Sequence, residues 1–502
     1  MDTIISIELG TNAVRVYAFD LKGQVLASSK GAYPTFHPFP DYSEQDPEQI
    51  FITMLFVLKN LLSEKIHPKK YKVVSICFSA SMHSLLAVDK QGVPLGPVMT
   101  WADSRSKVEA RELRNSPISE KIYQVTGTPI HPMSPLVKIL WLKTHDNETY
   151  RNTVKFMSLK SYIIQQLTGA CKIDLSLASA TGLLDIHKKV WDTTTLAYAG
   201  IRVDQLPDPV SISDTCGKLQ HQYRVSLGLS DDTKILIGSS DGCFATLGAG
   251  VWEEDKATIT IEDSAAVRVV GTTVLMDKDQ RLFNYVLDDD HYVSGGPSNS
   301  GGVIFEWFAK QFGDFKEAYD LEACIEDLIA EAVGVEAGSE RLLFLPYLLG
   351  ERAPMWNANA RGVFFGININ HERKHFARAA IEGILYEMYS IERMLQNHRN
   401  IKRISVNGSF ASMPFVTQLI ADIFNLPVSA SPNANSVSLG AYLLSAAELG
   451  IYKDITEAAK TIRLGEAFKP NKYHNATYQK YYAVFESLSG KLGSDFEALA
   501  RL

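Results

Sequence analysis

The sequence predicts an α/β protein made of two related halves, and three observations carry that reading. Near the start, an apolar strand at 4–8 runs through the turn Leu9-Gly10-Thr11-Asn12 into a second strand at 15–19. After the middle, a strand at 258–262 runs through Asp263-Ser264-Ala265 into a strand at 266–270. Between them, Ile235, Leu236 and Ile237 lead into Gly238-Ser239-Ser240-Asp241-Gly242. A short buried strand ending in a Gly-bounded turn brings one carboxylate to a strand end, where backbone and ligand can approach closely.

The elements follow in order. In the first half, strands are predicted at 4–8, 15–20 and 25–28, the last two joined by Leu21-Lys22-Gly23-Gln24. A helix opened by Pro47 runs to about residue 62, and strands follow at 73–78 and 85–88. Three antiparallel strands, a helix and a further strand are the order of a ribonuclease-H-like half-domain. The second half repeats the scheme with strands near 258–261, 267–270, 282–286 and 292–294. Helices at 302–312, 374–397, 413–423 and 438–449 then alternate with a strand at 403–406. The boundary falls between Gly242 and Glu254, giving domains 1–245 and 246–502. The hairpins also share wording, Ile7-Glu8…Ala13-Val14-Arg15-Val16 against Ile261-Glu262…Ala266-Val267-Arg268-Val269. This is a weak internal repeat or a chance likeness of ordinary hairpins, and from these segments alone chance is the better account. Two such hairpins facing each other could grip a polyphosphate with backbone N–H groups and hydroxyls.

Composition narrows the function. A chain of 502 residues is too long for one core, and 46% hydrophobic content suits packed α/β domains. The net charge of −7 is spread without basic runs, which points away from nucleic acid and anionic membranes as partners. No apolar stretch is long enough to span a bilayer, and the N-terminus lacks the basic and apolar regions of a signal peptide. Cys77, Cys171, Cys216, Cys243 and Cys324 are scattered, odd in number and without metal-ligand spacing. The expectation is a reduced, cytoplasmic protein.

Longer blocks carry a family resemblance. Met133-Ser134-Pro135-Leu136-Val137-Lys138-Ile139-Leu140-Trp141-Leu142 resembles the first signature of the FGGY carbohydrate kinases. Gly362-Val363-Phe364-Phe365-Gly366-Ile367, with His375-Phe376 and Ala379-Ala380-Ile381-Glu382, resembles the second. Ser81-Met82-His83-Ser84, Trp101-Ala102-Asp103-Ser104-Arg105 and Ser176-Leu177-Ala178-Ser179 occur in the family's order. The run Thr126-Gly127-Thr128-Pro129-Ile130-His131-Pro132-Met133 resembles the bacterial gluconokinase branch more than the xylulose or glycerol branches.

The resemblance implies two ribonuclease-H-like (actin/hexokinase-type) domains around a central cleft, closing when both ligands bind. It implies ATP and Mg2+, with phosphorylation of a sugar or sugar acid, gluconate being the expected acceptor and 6-phosphogluconate the product. Asp241 matches the family's base, suited to an acceptor hydroxyl that must lose its proton; the alternative is an Asp stabilising a common turn. Met82, His83, Trp101, Asp103 and Arg105 match the substrate side, where polar groups and an aromatic or thioether surface converge on a polyol. Arg105 reads equally as a structural partner of Asp103, and Trp101 as core. A gluconate carboxylate calls for a cation, for which Arg105, His131, Lys138 and Lys160 are candidates; Lys138 reads equally as a helix-surface lysine fixed for packing. Gly10, Thr11, Asn12, Ser264, Asn299, Gly408 and Ser409 fall on the nucleotide side, and Glu8 stands at the metal position. The loop before the helix at 302 reads otherwise as a plain helix cap, and Arg378 with Glu382 as an intrahelical ion pair. A homodimer is the assembly expected.

Three departures stand on the nucleotide side. The family's first phosphate loop reads Asp-x-Gly-Thr-Thr-Ser, whereas this chain has Glu8-Leu9-Gly10-Thr11-Asn12-Ala13. Its second reads Gly-Thr-Ser-Gly, here Glu262-Asp263-Ser264-Ala265, and Ser409 stands where a second Gly is usual. Carboxylates facing ATP phosphates would cost on the order of several kcal/mol in a partly desolvated site. Two function classes follow: a working kinase, for gluconate or another sugar such as xylulose, or a sugar-acid-binding paralogue acting as a sensor or partner protein.

Overall fold

The computed structural model describes residues 1–66, 70–312, 321–408, 410–431 and 435–502, with only the backbone of Glu322. Two compact units each draw on three stretches of chain. The first comprises Met1–Gly248, Gly271–Ser294 and Asn435–Ile462; the second comprises Ala249–Val270, Gly295–Ala434 and Arg463–Leu502. Among the described residues no helix is long and apolar enough to cross a membrane.

The first unit is organised by β1 (Asp2–Leu9), β2 (Ala13–Asp20), β3 (Val25–Ala32), β4 (Lys72–Ala80) and β5 (Lys234–Ser240), in the order β5-β4-β1-β2-β3. β1, β2 and β3 are antiparallel neighbours, while β1, β4 and β5 run parallel. Burial explains the sequence of β1. From Thr3 to Leu9 every residue is buried, as expected of a strand covered on both faces. Asp46 starts the helix Pro47–Asn60 by accepting from the N–H groups of Glu48 and Gln49, with Pro47 at the first helical position. The predicted helix end at 62 becomes a π-turn, Leu61–Lys65, closed by the bond from Ile66 N–H to the Leu61 carbonyl. That wider turn keeps Leu61, Leu62 and Ile66 all in the core.

The second unit contains β6 (Lys256–Ile261), β7 (Ala265–Gly271) but for its last residue, the latter half of β8 (Tyr292–Ser298), β9 (Arg403–Asn407) and β10 (Val428–Ala430), which pair in the order β8-β7-β6-β9-β10. β6 and β7 form an antiparallel hairpin, and β6, β9 and β10 run parallel. Taken separately, each sheet thus sets its hairpin at the same place, with the first strand in parallel contact with a later one. The shared wording of the hairpins coincides with a shared strand order, which chance likeness does not require. Arg378 and Glu382 do more than pair along their helix. Their 2.7 Å ion pair is buried, Arg378 also donates to Tyr478 Oη at 2.7 Å, and Glu382 accepts from Gly338 N–H and Ser339 Oγ at 3.1 Å.

Two helices of the first unit meet backbone to backbone. The helix Asp241–Gly248 crosses Ser436–Glu448, where a Cβ on Gly440 would lie 2.4 Å from the Phe244 carbonyl oxygen. A Cβ on Gly248 would lie 1.9 Å from the Ser436 carbonyl oxygen. Close-packed interiors cannot absorb such overlap without moving a whole helix. Gly440→Ala is therefore expected to destabilise the protein by about 2–4 kcal/mol, read by urea denaturation; an unchanged midpoint would disprove the contact.

Candidate active site

Three adjacent parallel strands of the first unit end level with one another. Leu9 of β1 faces Ala80 of β4, which faces Ser240 of β5. The turns that leave them are therefore neighbours: Gly10-Thr11-Asn12, Ser81-Met82-His83, and Asp241. The carboxyl edge of parallel strands is where open α/β sheets place ligands.

Asp241 reaches this edge through a kink. Gly238 has φ +67°, and a Cβ there would lie 1.9 Å from the Phe78 carbonyl oxygen. The ladder with β4 shifts register between Leu236 and Ser239, and Ile237 and Gly238 donate instead to the carbonyls of Asp214 and Ile212. The strand then passes directly into the helix Asp241–Gly248. Asp241 is half-buried in the first turn, its Oδ1 accepting the Gly242 N–H at 2.6 Å. A helix N-terminus favours a carboxylate over its neutral acid.

The Gly10 turn is held from several sides. Gly10 N–H donates to the Ala13 carbonyl at 3.1 Å, Tyr33 Oη donates to the Gly10 carbonyl, and Gln45 Nε2 donates to that of Thr11 at 2.5 Å. Burial first, then the charge of Glu8, pushes the Tyr33 phenol well above its ordinary range. Glu8 is buried and pairs with Arg15 at 2.9 Å. Trp101 Nε1 donates to Thr11 Oγ1 at 3.0 Å, so a residue read as substrate wall touches the phosphate-loop candidate.

His83 is buried with φ +64°, its Nδ1 2.9 Å from the Ala180 carbonyl oxygen and its Nε2 3.2 Å from Tyr285 Oη. Met82 is half-buried against the core of the first unit. Of the two readings of Arg105, the structure displays the structural one. Arg105 Nε and Nη2 contact Asp103 at 2.9 and 2.7 Å, Nη2 also meets Glu44 at 2.5 Å, and the guanidinium lies 3.6 Å from the Tyr42 ring centroid. Asp103, 1% exposed, additionally accepts the Ser43 N–H at 2.8 Å. Two cations named for a substrate carboxylate are buried and engaged elsewhere. Lys138 Nζ donates to the carbonyls of His83 at 2.7 Å and Thr100 at 2.6 Å, and Lys160 pairs with Asp174 at 2.8 Å. His131 Nδ1 accepts the Met133 N–H at 3.2 Å.

In the second unit, the turn after β6 is clamped by the helix Gly302–Phe312. Gly302 N–H donates to the Glu262 carbonyl at 2.6 Å and Val303 N–H to that of Asp263 at 3.2 Å. The side chains of Glu262 and Asp263 are exposed, and Ser264 is half-buried. Gly408, φ +92°, leaves β9 where a Cβ would lie 2.2 Å from the Ile261 carbonyl oxygen. Ser409 lies outside the described residues. Asn299 donates its N–H to Glu351 at 2.7 Å and its Nδ2 to the Leu349 carbonyl at 3.2 Å.

Glu351 is a residue that sequence reasoning missed. Fully buried, it accepts from Asn299 N–H, Arg352 N–H, Ser298 Oγ and Ser300 Oγ at 2.6–2.9 Å, and burial raises its pKa. Its signal was a charged residue inside the apolar stretch around Leu348-Leu349-Gly350. Among the described residues no group of three or more His, Cys, Asp and Glu is arranged to hold a metal ion.

Residues 3–248 match the N-terminal domain of the FGGY family of carbohydrate kinases, and residues 257–449 match its C-terminal domain. A gluconokinase of Bacillus subtilis (strain 168) is 33% identical over 502 residues, covering 99% of this chain and 97% of that one. The structure resembles a gluconate kinase from Lactobacillus acidophilus with TM-score 0.93 and 32% identity, over 99% of both chains. It resembles a ligand-bound xylulose kinase from the same organism equally, with TM-score 0.93 and 33% identity over 99% of this chain and 100% of that one. The actin/hexokinase-type fold is shared with both.

Lys138 gives the site a pH signature. Burial pushes its ammonium down to about 7. Below that pH, folded and unfolded states both carry the proton, and the fold bears the whole cost of burying it. Above it, up to the ordinary lysine value, only the unfolded chain keeps the proton, so stability rises with pH. In urea denaturation, the stability of the unaltered protein minus that of Lys138→Met should increase from pH 6 to pH 9; a constant difference would refute the shift.

Proposed function

The chain belongs to the FGGY family of carbohydrate kinases and is a phosphotransferase with an alcohol group as acceptor; on that premise we propose that it phosphorylates gluconate at the terminal hydroxyl, with Asp241 as general base. The observation that carries the reading is the meeting of the Gly10 turn, Met82-His83 and Asp241 at one carboxyl edge. The choice of gluconate is supported by the wording of Thr126–Met133 and by whole-length likeness to a Bacillus gluconokinase. Residues 1–245 supply the substrate-binding domain in this reading, and 246–502 the nucleotide-binding domain.

The acceptor is held by Met82, His83, Trp101, Asp103 and Arg105. ATP is held by Gly10, Thr11 and Asn12, and by Ser264, Asn299, Gly408 and Ser409. As the acceptor oxygen approaches the γ-phosphorus, its proton passes to the Asp241 carboxylate, the new P–O bond forms, and ADP leaves with the electrons of the broken bond. Magnesium would be held at Glu8, and when bound would supply positive charge that offsets the charge on the phosphates.

The substrate assignment is tested with gluconate, xylulose, ribulose, glycerol and glucose, each with ATP. Gluconate should give the highest kcat/KM; preference for a ketopentose would transfer the assignment to the xylulose kinases, whose likeness is as close. Asp241→Asn should lower kcat by roughly 10²–10⁴-fold with KM nearly unchanged. Undiminished turnover at saturating substrates would remove Asp241 from the mechanism.

A further inference from the structure

We infer that the buried Lys160–Asp174 pair, acting through Ser176, is the positioning device that aims Asp241. The inference rests on the assignment of Asp241 as base. Asp241 Oδ1 accepts the Gly242 N–H at 2.6 Å, so the direction of the carboxylate follows the backbone that carries it. That backbone leaves the β4 ladder at a bulge between Leu236 and Ser239 and regains it at Ser239 and Ser240. Glycine at 238 admits the left-handed turn there.

Two other elements of the same unit add a grip on the peptide between Ser239 and Ser240. Lys160, in the helix Leu159–Thr168, donates from Nζ to the Ser239 carbonyl at 2.9 Å and lies 2.8 Å from Asp174 Oδ2. Asp174 caps the short helix Leu175–Ser179 and accepts the Ser176 hydroxyl proton on Oδ1 at 2.5 Å. The Ser176 oxygen in turn accepts the Ser240 N–H at 2.7 Å and the Ser239 hydroxyl at 2.9 Å. One hydroxyl thus donates once and accepts twice, which is its full capacity. The carbonyl of Ser239 and the N–H of Ser240 belong to one peptide unit, and both its polar atoms are gripped. Locking the peptide unit between Ser239 and Ser240 fixes the backbone one residue before Asp241.

The burial supports a positioning role. Lys160 is 1% exposed, and Asp174, Ser176, Ser239 and Ser240 are 0% exposed. A buried ion pair often adds little net stability compared with apolar residues of the same volume, and fixing a unique geometry is its better-attested use. Neither Lys160 nor Asp174 is left to contact an acceptor, so the pair acts through Asp241.

The test is a double-mutant cycle of Ser176→Ala and Lys160→Met, each made with Asp241 intact and with Asp241→Asn. With Asp241 intact, Ser176→Ala should lower kcat by roughly 10–100-fold, leaving KM for ATP and for gluconate within about twofold. In the Asp241→Asn background the same change should have no further effect on the residual rate. Equal losses in both backgrounds, or none in either, would overturn the positioning role while leaving the base assignment intact. Full turnover of Asp241→Asn alone would overturn the base assignment and the positioning role with it. Should Lys160→Met fail to fold, the Ser176→Ala arm decides.

Discussion

The carboxyl edge of the first sheet depends on a steric limit at residue 238. The strand that ends in Asp241 passes so close to the Phe78 carbonyl that no side chain fits there. Because residue 238 is glycine, the strand can turn its backbone into the left-handed region, skip the ladder at 237–238 and rejoin it at Ser239 and Ser240. That departure lets the helix at 241 start without an intervening loop. Glycine recurs where that helix meets Ser436–Glu448, at positions 248 and 440. Rigid backbone contact at both ends of a short element leaves it little room to drift, which is what a catalytic carboxylate requires.

Much of this was legible from the sequence, and the reasons are physical. The strands β1, β2, β4, β6 and β9 were announced by apolar runs bounded by turn residues, because burial on both faces removes alternation. The helix starting at Gly302 was found because Gly-rich residues precede it and its apolar periodicity is uninterrupted. The five-residue signal around Asp241 was visible because turns that need glycine advertise themselves, whereas His83 came from the family resemblance. The strand order common to the two sheets was only hinted at by a few shared residues.

What stayed hidden was the company that charged residues keep. Lys138 and Lys160 look alike to a reader of sequence, both lysines in helices near motif residues. In the fold, one is ringed by carbonyls and the other is locked to an aspartate fourteen positions on, and pairing across elements leaves no periodic trace. Glu351 is similar: its four donors come from the 298–300 segment and its own neighbour, about fifty residues apart in the chain. Arg378 and Glu382 were found as a pair because helical spacing is a local rule, but their contacts to Gly338, Ser339 and Tyr478 were not. Local rules reach one turn; polar networks in a core are settled by topology.

The discontinuous first unit also has a consequence for how the protein is made. Its five strands have all been synthesised by residue 240, yet the helix that packs against β1, β4 and the helix at 241 is encoded at Ser436–Glu448. At a translation rate of about 5–20 residues per second, the interval between Gly248 and Ser436 lasts on the order of 10–40 s. Throughout it the nascent sheet has one apolar face without its covering helix, so the ribosome-bound chain presents a binding surface for holdase chaperones that the finished protein does not have.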